Sequence, residues 1–91
     1  LAPEEAVYLE LNLRLMLERA QLAALRRQQI VYEQSLGSAQ EWLLEYLDDT
    51  HPLVQEVVAE IDALIGVQLD QALPDVSSSL SAMLAVRRGE S

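Results

Sequence analysis

The sequence predicts an all-α fold, and two observations support this prediction. Apolar residues recur at spacings of three and four along most of the chain, which is the period of one helix face. Prolines at positions 3, 52 and 74 stand next to acidic or capping residues that favour a helix start. The chain has no cysteine, so disulfides do not define the fold. We therefore expect one domain over residues 1–91, a small bundle of about four helices built on a long antiparallel helical hairpin, with an extended strap before the last helix.

The first helix is expected over residues 3 to 26, because proline suits a first turn and the acids after it favour the positive end of the helix dipole. It carries two apolar stripes on opposite sides. The first, here called the Leu9 stripe, contains Leu9, Leu13, Met16, Leu17, Ala20, Ala23 and Ala24. The second, here called the Val7 stripe, contains Val7, Leu11, Leu15, Leu22 and Leu25. A short chain has little material to cover both, so the pattern indicates a sandwiched helix, a self-association surface or a fragment of something larger. Which stripe faces outward is left open, and the Val7 stripe is named as the candidate interaction surface.

A turn is expected around residues 26 to 29, followed by a second helix over residues 29 to 48. Its apolar face is formed by Tyr32, Leu36, Ala39, Leu43 and Tyr46. Gly37 lies inside this helix and weakens it by about 1 kcal/mol relative to alanine. We therefore expect close packing of a neighbouring backbone, or a bend, at this glycine.

The third helix is expected from Pro52, with Asp49 or Thr50 as the cap. Gly66 is predicted to end it in the left-handed conformation. Residues 67 to 73 are expected to form the extended strap, because Val67 and Leu69 alternate with polar residues. A weak fourth helix is expected from Pro74.

The net charge of −9 is unevenly distributed. Residues 36 to 75 contain nine acids and no base, whereas residues 1 to 35 contain four arginines and five glutamates. Such an acidic surface repels phosphate, which argues against nucleic acid or anionic lipid as a partner of this segment. No apolar run approaches the ~20 residues of a membrane helix, so any membrane anchor is expected outside these residues.

Three groups of side chains are candidates for chemical sites. His51 beside Asp48 and Asp49 offers imidazole and carboxylate groups, but each has a capping or loop role, so no metal site is predicted. Glu41, Glu45 and Asp48 share one side of the second helix, where a solvated face or a docking patch for a basic partner is favoured over acid and base catalysis. We predict no catalytic residue and no cofactor.

Aromatic residues form the third group. Tyr32, Trp42 and Tyr46 lie along one stripe that could stack a planar ligand such as a porphyrin. Such a stripe is more often core, and basic residues that would meet the acidic groups of a porphyrin are missing nearby. Porphyrin binding is therefore kept as a weaker alternative.

Several segments of the chain resemble the C-terminal region of the HemX family of Gram-negative membrane proteins associated with haem biosynthesis. The segments are Leu1-Ala2-Pro3 with Tyr8-Leu9, then Leu13 to Ala23, Tyr32 to Leu36, Trp42 to Asp48, and Leu73 to Ser77. The resemblance implies a parent with one inner-membrane helix and a helical periplasmic region of which this chain is an excised piece. It also brings the label of a uroporphyrinogen-III C-methyltransferase.

The methyltransferase label has no counterpart in the residues. The chain's three glycines are scattered, and none forms the glycine-rich loop that would hold S-adenosylmethionine. We therefore expect a non-catalytic interaction or scaffolding module whose partner is another protein or a second copy of itself. Methyltransferase activity is the alternative, and a tetratricopeptide-like hairpin is a weaker reading of the fold.

Overall fold

The computed structural model describes residues 2–77, and over that range it contains three helices and no strand. Helix α1 spans Pro3–Leu25, α2 spans Gln29–Tyr46 and α3 spans Pro52–Ile65. The predicted all-helical class is therefore confirmed. The prediction of about four helices is not supported, since the expected last helix falls almost entirely outside the described residues.

Helix α1 begins as its sequence predicts, with Pro3 in the first turn and glutamates 4 and 5 beside it. It ends at Leu25, one residue before the predicted end. The chain then turns through Arg27, which has a φ of 55° and is the non-glycine residue of positive φ in the described range. The amide of Gln28 donates to the carbonyl of Ala23 at 2.8 Å, which closes the turn.

Helix α2 ends two residues before the predicted position, because the backbone becomes extended at Leu47. The carboxylate of Asp48 accepts hydrogen bonds from the amide and the hydroxyl of Thr50, at 2.9 and 2.7 Å. This local bonding competes with continuation of the helix. The close packing expected at Gly37 is absent: a Cβ placed there would meet no atom within 4 Å, so no neighbouring backbone approaches it. The alternative of a bend at this glycine stays a prediction.

Helix α3 corrects two of the expected caps. Its N-cap is His51, whose Nδ1 accepts the Leu53 amide at 3.1 Å, rather than Asp49 or Thr50. Gly66 is not left-handed, because its φ of −73° and ψ of −8° continue the right-handed geometry. The amide of Val67 donates to the carbonyl of Leu64 at 3.1 Å, so a tighter last turn ends this helix.

The connector after α3 turns rather than running fully extended, since the amides of Gln71 and Ala72 both donate to the carbonyl of Gln68. As expected, it places Leu69 on the helices, where this side chain is fully buried. Gln29 at the start of α2 and Arg27 in the turn before it hold the connector in place. The Gln29 side chain accepts the Leu69 amide and donates to the Val67 carbonyl, both at 3.0 Å, and the Arg27 guanidinium donates to the Leu69 carbonyl at 2.6 Å.

The core lies where α2 contacts both other helices. Helix α1 contributes Leu9, Leu13, Leu17, Ala20, Ala23 and Ala24, and α2 contributes Tyr32, Leu36, Ala39 and Leu43. Three alanines at the end of α1 allow the helices to approach closely near the turn. At the other end, the rings of Tyr8 and Trp42 meet with centroids 5.6 Å apart. The Leu9 stripe is thus the core side of α1.

A candidate interaction surface on helix α1

The Val7 stripe lies on the outside of the described structure. Its five side chains are between 53% and 62% exposed. The Leu9 stripe, on the other side of the same helix, is buried except for Met16, which is partly buried. The structure therefore decides which of the two predicted stripes lacks cover within residues 2–77. Whether the exposed stripe binds a partner stays a prediction.

The exposed residues follow a heptad spacing, which the sequence-based interpretation missed. Steps of three, four, three, four and three residues connect a set here called the heptad seam: Tyr8, Leu11, Leu15, Glu18, Leu22 and Leu25. Tyr8 is 56% exposed and extends the apolar surface by one position. Glu18 is the charged residue in this set and is also exposed. The spacing was readable from the sequence, and it is typical of a helix that pairs with another helix.

Arginines border the heptad seam on both sides. Arg14 lies on one side and Arg19 and Arg26 lie on the other, at helix positions next to the seam. The Arg14 guanidinium is 3.7 Å from the Glu10 carboxylate in a partly exposed pair four residues apart on α1, which contributes little to stability. Arg19 and Arg26 are exposed. The seam thus has a basic rim, although the whole chain is strongly acidic.

The connector reaches the Arg14 side of the seam. The amide of Val76 donates to the side-chain oxygen of Gln21 at 3.1 Å, and Val76 is buried there. Leu17, Glu18 and Gln21 then line a small pocket of about 240 Å³ together with Val76 and Ser77. This side of α1 is therefore partly built over, whereas the side with Arg19 and Arg26 is not.

On the Arg19 side, a shallow and open groove of about 430 Å³ lies between α1 and α2. It is lined by Arg19, Gln34, Ser35, Gly37, Ser38 and Glu41. The Ser35 hydroxyl is buried without a hydrogen-bond partner, and the space above Gly37 is empty. A water molecule or a small polar group could satisfy this hydroxyl.

The predicted aromatic stripe divides into two parts. The rings of Trp42 and Tyr46 are in tilted contact, with centroids 4.8 Å apart and planes inclined by 43°, and both residues are half-buried next to Tyr8. Tyr32 is fully buried instead, and its hydroxyl donates to the carbonyl of Leu64. Burial, with a smaller effect of the Glu33 charge, raises the pKa of Tyr32. Tyr32 is thus a core residue and is not available to stack on a ligand at the surface.

Two of the polar candidates, Asp48 and His51, have structural roles in the described residues. Hydrogen bonds from the side chain and the backbone of Thr50 lower the pKa of Asp48, and His51 caps α3. Glu41 and Glu45 are exposed on α2. Over residues 2–77, no group of three or more histidine, aspartate or glutamate side chains is placed to hold a metal ion. Within that range, no helix has the length and apolar character needed to cross a membrane.

Two comparisons with known proteins find matches to this chain. Residues 1–89 match the HemX family, described as "HemX, putative uroporphyrinogen-III C-methyltransferase". A protein of Haemophilus influenzae, named only as an uncharacterized protein, is 31% identical over 83 residues, which cover 91% of this chain and 48% of that protein. The chain therefore spans about half the length of this relative. No solved structure matches it. Since the family match covers nearly every residue, the chain belongs to the HemX family.

Proposed function

We propose that this chain is a non-catalytic interaction or scaffolding module of a HemX-like inner-membrane protein associated with haem and tetrapyrrole biosynthesis. In this proposal, the module is a single all-α domain built on the antiparallel hairpin of α1 and α2 and lies on the periplasmic side. The membrane anchor belongs to another part of the parent protein. Family membership and the short turn between α1 and α2 support this assignment.

The exposure of the Val7 stripe is the observation that carries the proposal. All five of its apolar side chains are more than half exposed along a helix whose other side is buried. Single exposed leucines are common in soluble proteins, but a continuous row of them is not. Covering such a row with another apolar surface is favourable by about 25 cal/mol per Å² of apolar area removed from water. A surface of this kind favours binding of a protein helix.

Site-specific photo-crosslinking in the full-length parent protein tests this role. A photoreactive amino acid at Leu15 is expected to give a protein cross-link in cells. The matched control is Leu73, which is similarly exposed at 60% but lies in the connector. Cross-links at Leu15 and not at Leu73 support the proposal. If none of the five positions of the Val7 stripe gives a cross-link, the proposed interaction role is contradicted.

Methyltransferase activity is the rival function that the family description suggests. Calorimetric titration of the chain with S-adenosylmethionine separates the two. We expect no saturable heat, because the chain's three glycines are scattered and form no cofactor loop. Saturable binding would overturn the proposed function in favour of an enzyme.

Porphyrin binding at Trp42 is tested by absorption spectroscopy. A binding site there predicts a shift of the porphyrin Soret band that disappears in Trp42→Ala. Tyr46→Ala, which removes the ring in contact with Trp42, provides a second variant of the same surface. We expect no such shift, because the Trp42 indole is half-buried between Tyr8 and Tyr46 rather than open to a planar ligand.

A further inference from the structure

We propose that the heptad seam of α1 pairs with the same seam of a second copy of this chain, with the two α1 helices antiparallel. The inference rests on the proposed function and names the partner of the Val7 stripe. Three features support this pairing: the heptad spacing, the order of charges along the seam, and the distribution of acid over the chain.

The spacing of the seam is that of a coiled coil. In heptad terms, Tyr8, Leu15 and Leu22 occupy a positions, and Leu11, Glu18 and Leu25 occupy d positions. Alternating steps of three and four keep one row of side chains facing a partner helix, so that each fits between four residues of that helix. Five of the six seam positions are apolar and more than half exposed. At 1.5 Å per residue, the seam is about 26 Å long.

An antiparallel pair places a positions opposite d positions. Tyr8 then faces Leu25 of the second copy, and Leu11 faces Leu22. At the centre, Leu15 faces Glu18. The same register applies from either copy, because a two-fold axis relates them. Every apolar seam residue except Leu15 therefore meets an apolar residue.

The charges beside the seam favour this orientation. The antiparallel register places Glu18 beside Arg14 of the second copy, and Glu5 near the start of α1 beside Arg26 near its end. A parallel pair would instead place Glu18 against Glu18 and Arg14 beside Arg19. Each exposed pair contributes little affinity, but like charges in contact oppose the wrong arrangement. The charge order therefore selects the antiparallel pair.

The distribution of acid favours a second copy approaching through α1. Residues 36 to 75 carry nine acids and no base, so two such surfaces repel each other. Residues 1 to 35 carry five acids and four arginines. Helix α1 thus offers the nearly neutral side on which two copies approach with little repulsion. With fewer than three heptads and one glutamate in the seam, the pair is expected to be reversible.

Cysteine cross-linking tests the orientation, and the absence of native cysteine makes it clean. Two single variants of the full chain are made, Leu11→Cys and Leu22→Cys. Alone, neither is expected to cross-link under mild oxidation, because equivalent positions lie far apart in an antiparallel pair. An equal mixture is expected to give a disulfide-linked dimer of one copy of each. Efficient cross-linking of either single variant alone overturns the antiparallel arrangement.

Sedimentation equilibrium tests the pairing itself. The wild-type chain is expected to move from dimer to monomer on dilution. Leu15→Ser is expected to weaken the dimer at least tenfold, and Leu73→Ser, equally exposed outside the seam, is expected to leave it unchanged. Glu18→Leu completes the seam and is expected to tighten the dimer at least tenfold, which a folding defect cannot imitate. A wild-type chain that stays monomeric at every concentration overturns the inference.

A charge exchange tests the rim. Glu5→Arg and Arg26→Glu are each expected to weaken the dimer, and the double variant is expected to restore it. Both single changes also oppose the helix dipole of α1, so rescue by the double variant cannot come from helix stability. Absence of rescue contradicts the proposed register.

The failures of the two proposals are distinguishable. If the chain is monomeric and Leu15 cross-links to a different protein in cells, the second copy is excluded as the partner but the interaction module stands. If the monomer sediments with vesicles of anionic lipid and Leu15→Ser abolishes this, the seam binds a membrane surface and both proposals fall.

Discussion

The hydroxyl of Tyr32 in α2 donates a hydrogen bond to the backbone carbonyl of Leu64 near the end of α3. This fully buried side chain joins α2 to α3 beside their apolar packing. Gln40 of α2 makes a second polar link, because its side-chain amide donates to the Val58 carbonyl at 3.0 Å and to the Asp62 carboxylate at 2.8 Å. Tyr32→Phe is expected to lower the free energy of unfolding by about 1 kcal/mol, because Leu64 keeps a second donor in the amide of Val67. Thermal unfolding followed by circular dichroism measures this. Tyr46→Phe, at a half-buried tyrosine whose ring contacts Trp42, is the control and should change stability less.

Tyr32 also makes the free energy of unfolding depend on pH in the alkaline range. Burial raises the pKa of Tyr32 above 10.0, so the folded state holds the phenol proton more tightly than the unfolded state does. Its contribution is present below the unfolded pKa and is lost as pH rises through the folded pKa. Urea unfolding is measured from about pH 8 to about pH 11, a range around the ordinary tyrosine pKa near 10. Over this range, the free energy of unfolding should decline less for Tyr32→Phe than for the wild type. An equal decline would contradict this role.

Gln29 anchors the connector to α2. Its side chain bonds the Leu69 amide and the Val67 carbonyl, and it also donates to the Glu33 carboxylate at 2.8 Å. Gln29→Ala leaves two connector groups without these partners and is expected to cost about 1 to 2 kcal/mol of unfolding free energy. Gln28→Ala, one residue earlier and exposed, should have little effect. Faster amide exchange at Leu69 in Gln29→Ala would locate the loss.

Arg27 has a positive φ in the turn between α1 and α2, where glycine is usually preferred. Arg27→Gly and Arg27→Ala both remove the guanidinium bond to Leu69, so their difference isolates the backbone. We expect Arg27→Gly to be more stable than Arg27→Ala by about 1 kcal/mol. Equal stability in chemical denaturation would show that the turn relaxes away from positive φ.

Gly37 is a site where stability can be gained. It lies inside α2, and a Cβ there meets no atom within 4 Å. Gly37→Ala is therefore expected to raise the free energy of unfolding by about 0.5 to 1 kcal/mol. Urea denaturation measures the gain.

The groove beside Arg19 can be tested with a larger side chain at the same position. A cross-link at Leu15 that disappears in Gly37→Leu but persists in Gly37→Ala would show that the interaction surface extends into this groove.

Asp48 and Asp75 are stabilised as carboxylates by short local bonds. The hydroxyl and amide of Thr50 lower the pKa of Asp48, and those of Ser77 lower the pKa of Asp75. Each contribution is present above the ordinary aspartate pKa and is lost as pH falls through the lowered value. In carboxyl NMR titrations, Thr50→Val should raise the pKa of Asp48 and leave Asp75 unchanged, and Ser77→Ala should do the reverse.

Helix existence and type could be read from the sequence, because proline starts and apolar periods are local signals. Helix ends were less predictable. Gly66 suggested a left-handed cap, yet the chain leaves α3 through a tighter right-handed turn. The positive φ occurs at Arg27 instead, in the turn after α1. The space around Gly37 depends on where other elements lie, which no local pattern records.

Only part of the candidate surface could be predicted from the sequence. Both stripes of α1 were visible, but the buried one is the stripe in which Ala20, Ala23 and Ala24 allow α2 to approach closely. That choice depends on packing between helices rather than on the sequence of α1 alone. The contribution of Tyr8 was missed because it lies beside the leucines, and a search for a heptad would have found it.

The two sides of α1 separate two phenotypes on one helix. Substitutions at Leu13 or Leu17, which are buried, should reduce the amount of folded protein in a cell. Substitutions at Leu11 or Leu22, which are exposed, should leave that amount unchanged and alter only what the protein does. A mutational scan that records abundance and activity together should therefore show an alternation along α1, in which positions about half a turn apart fail for different reasons.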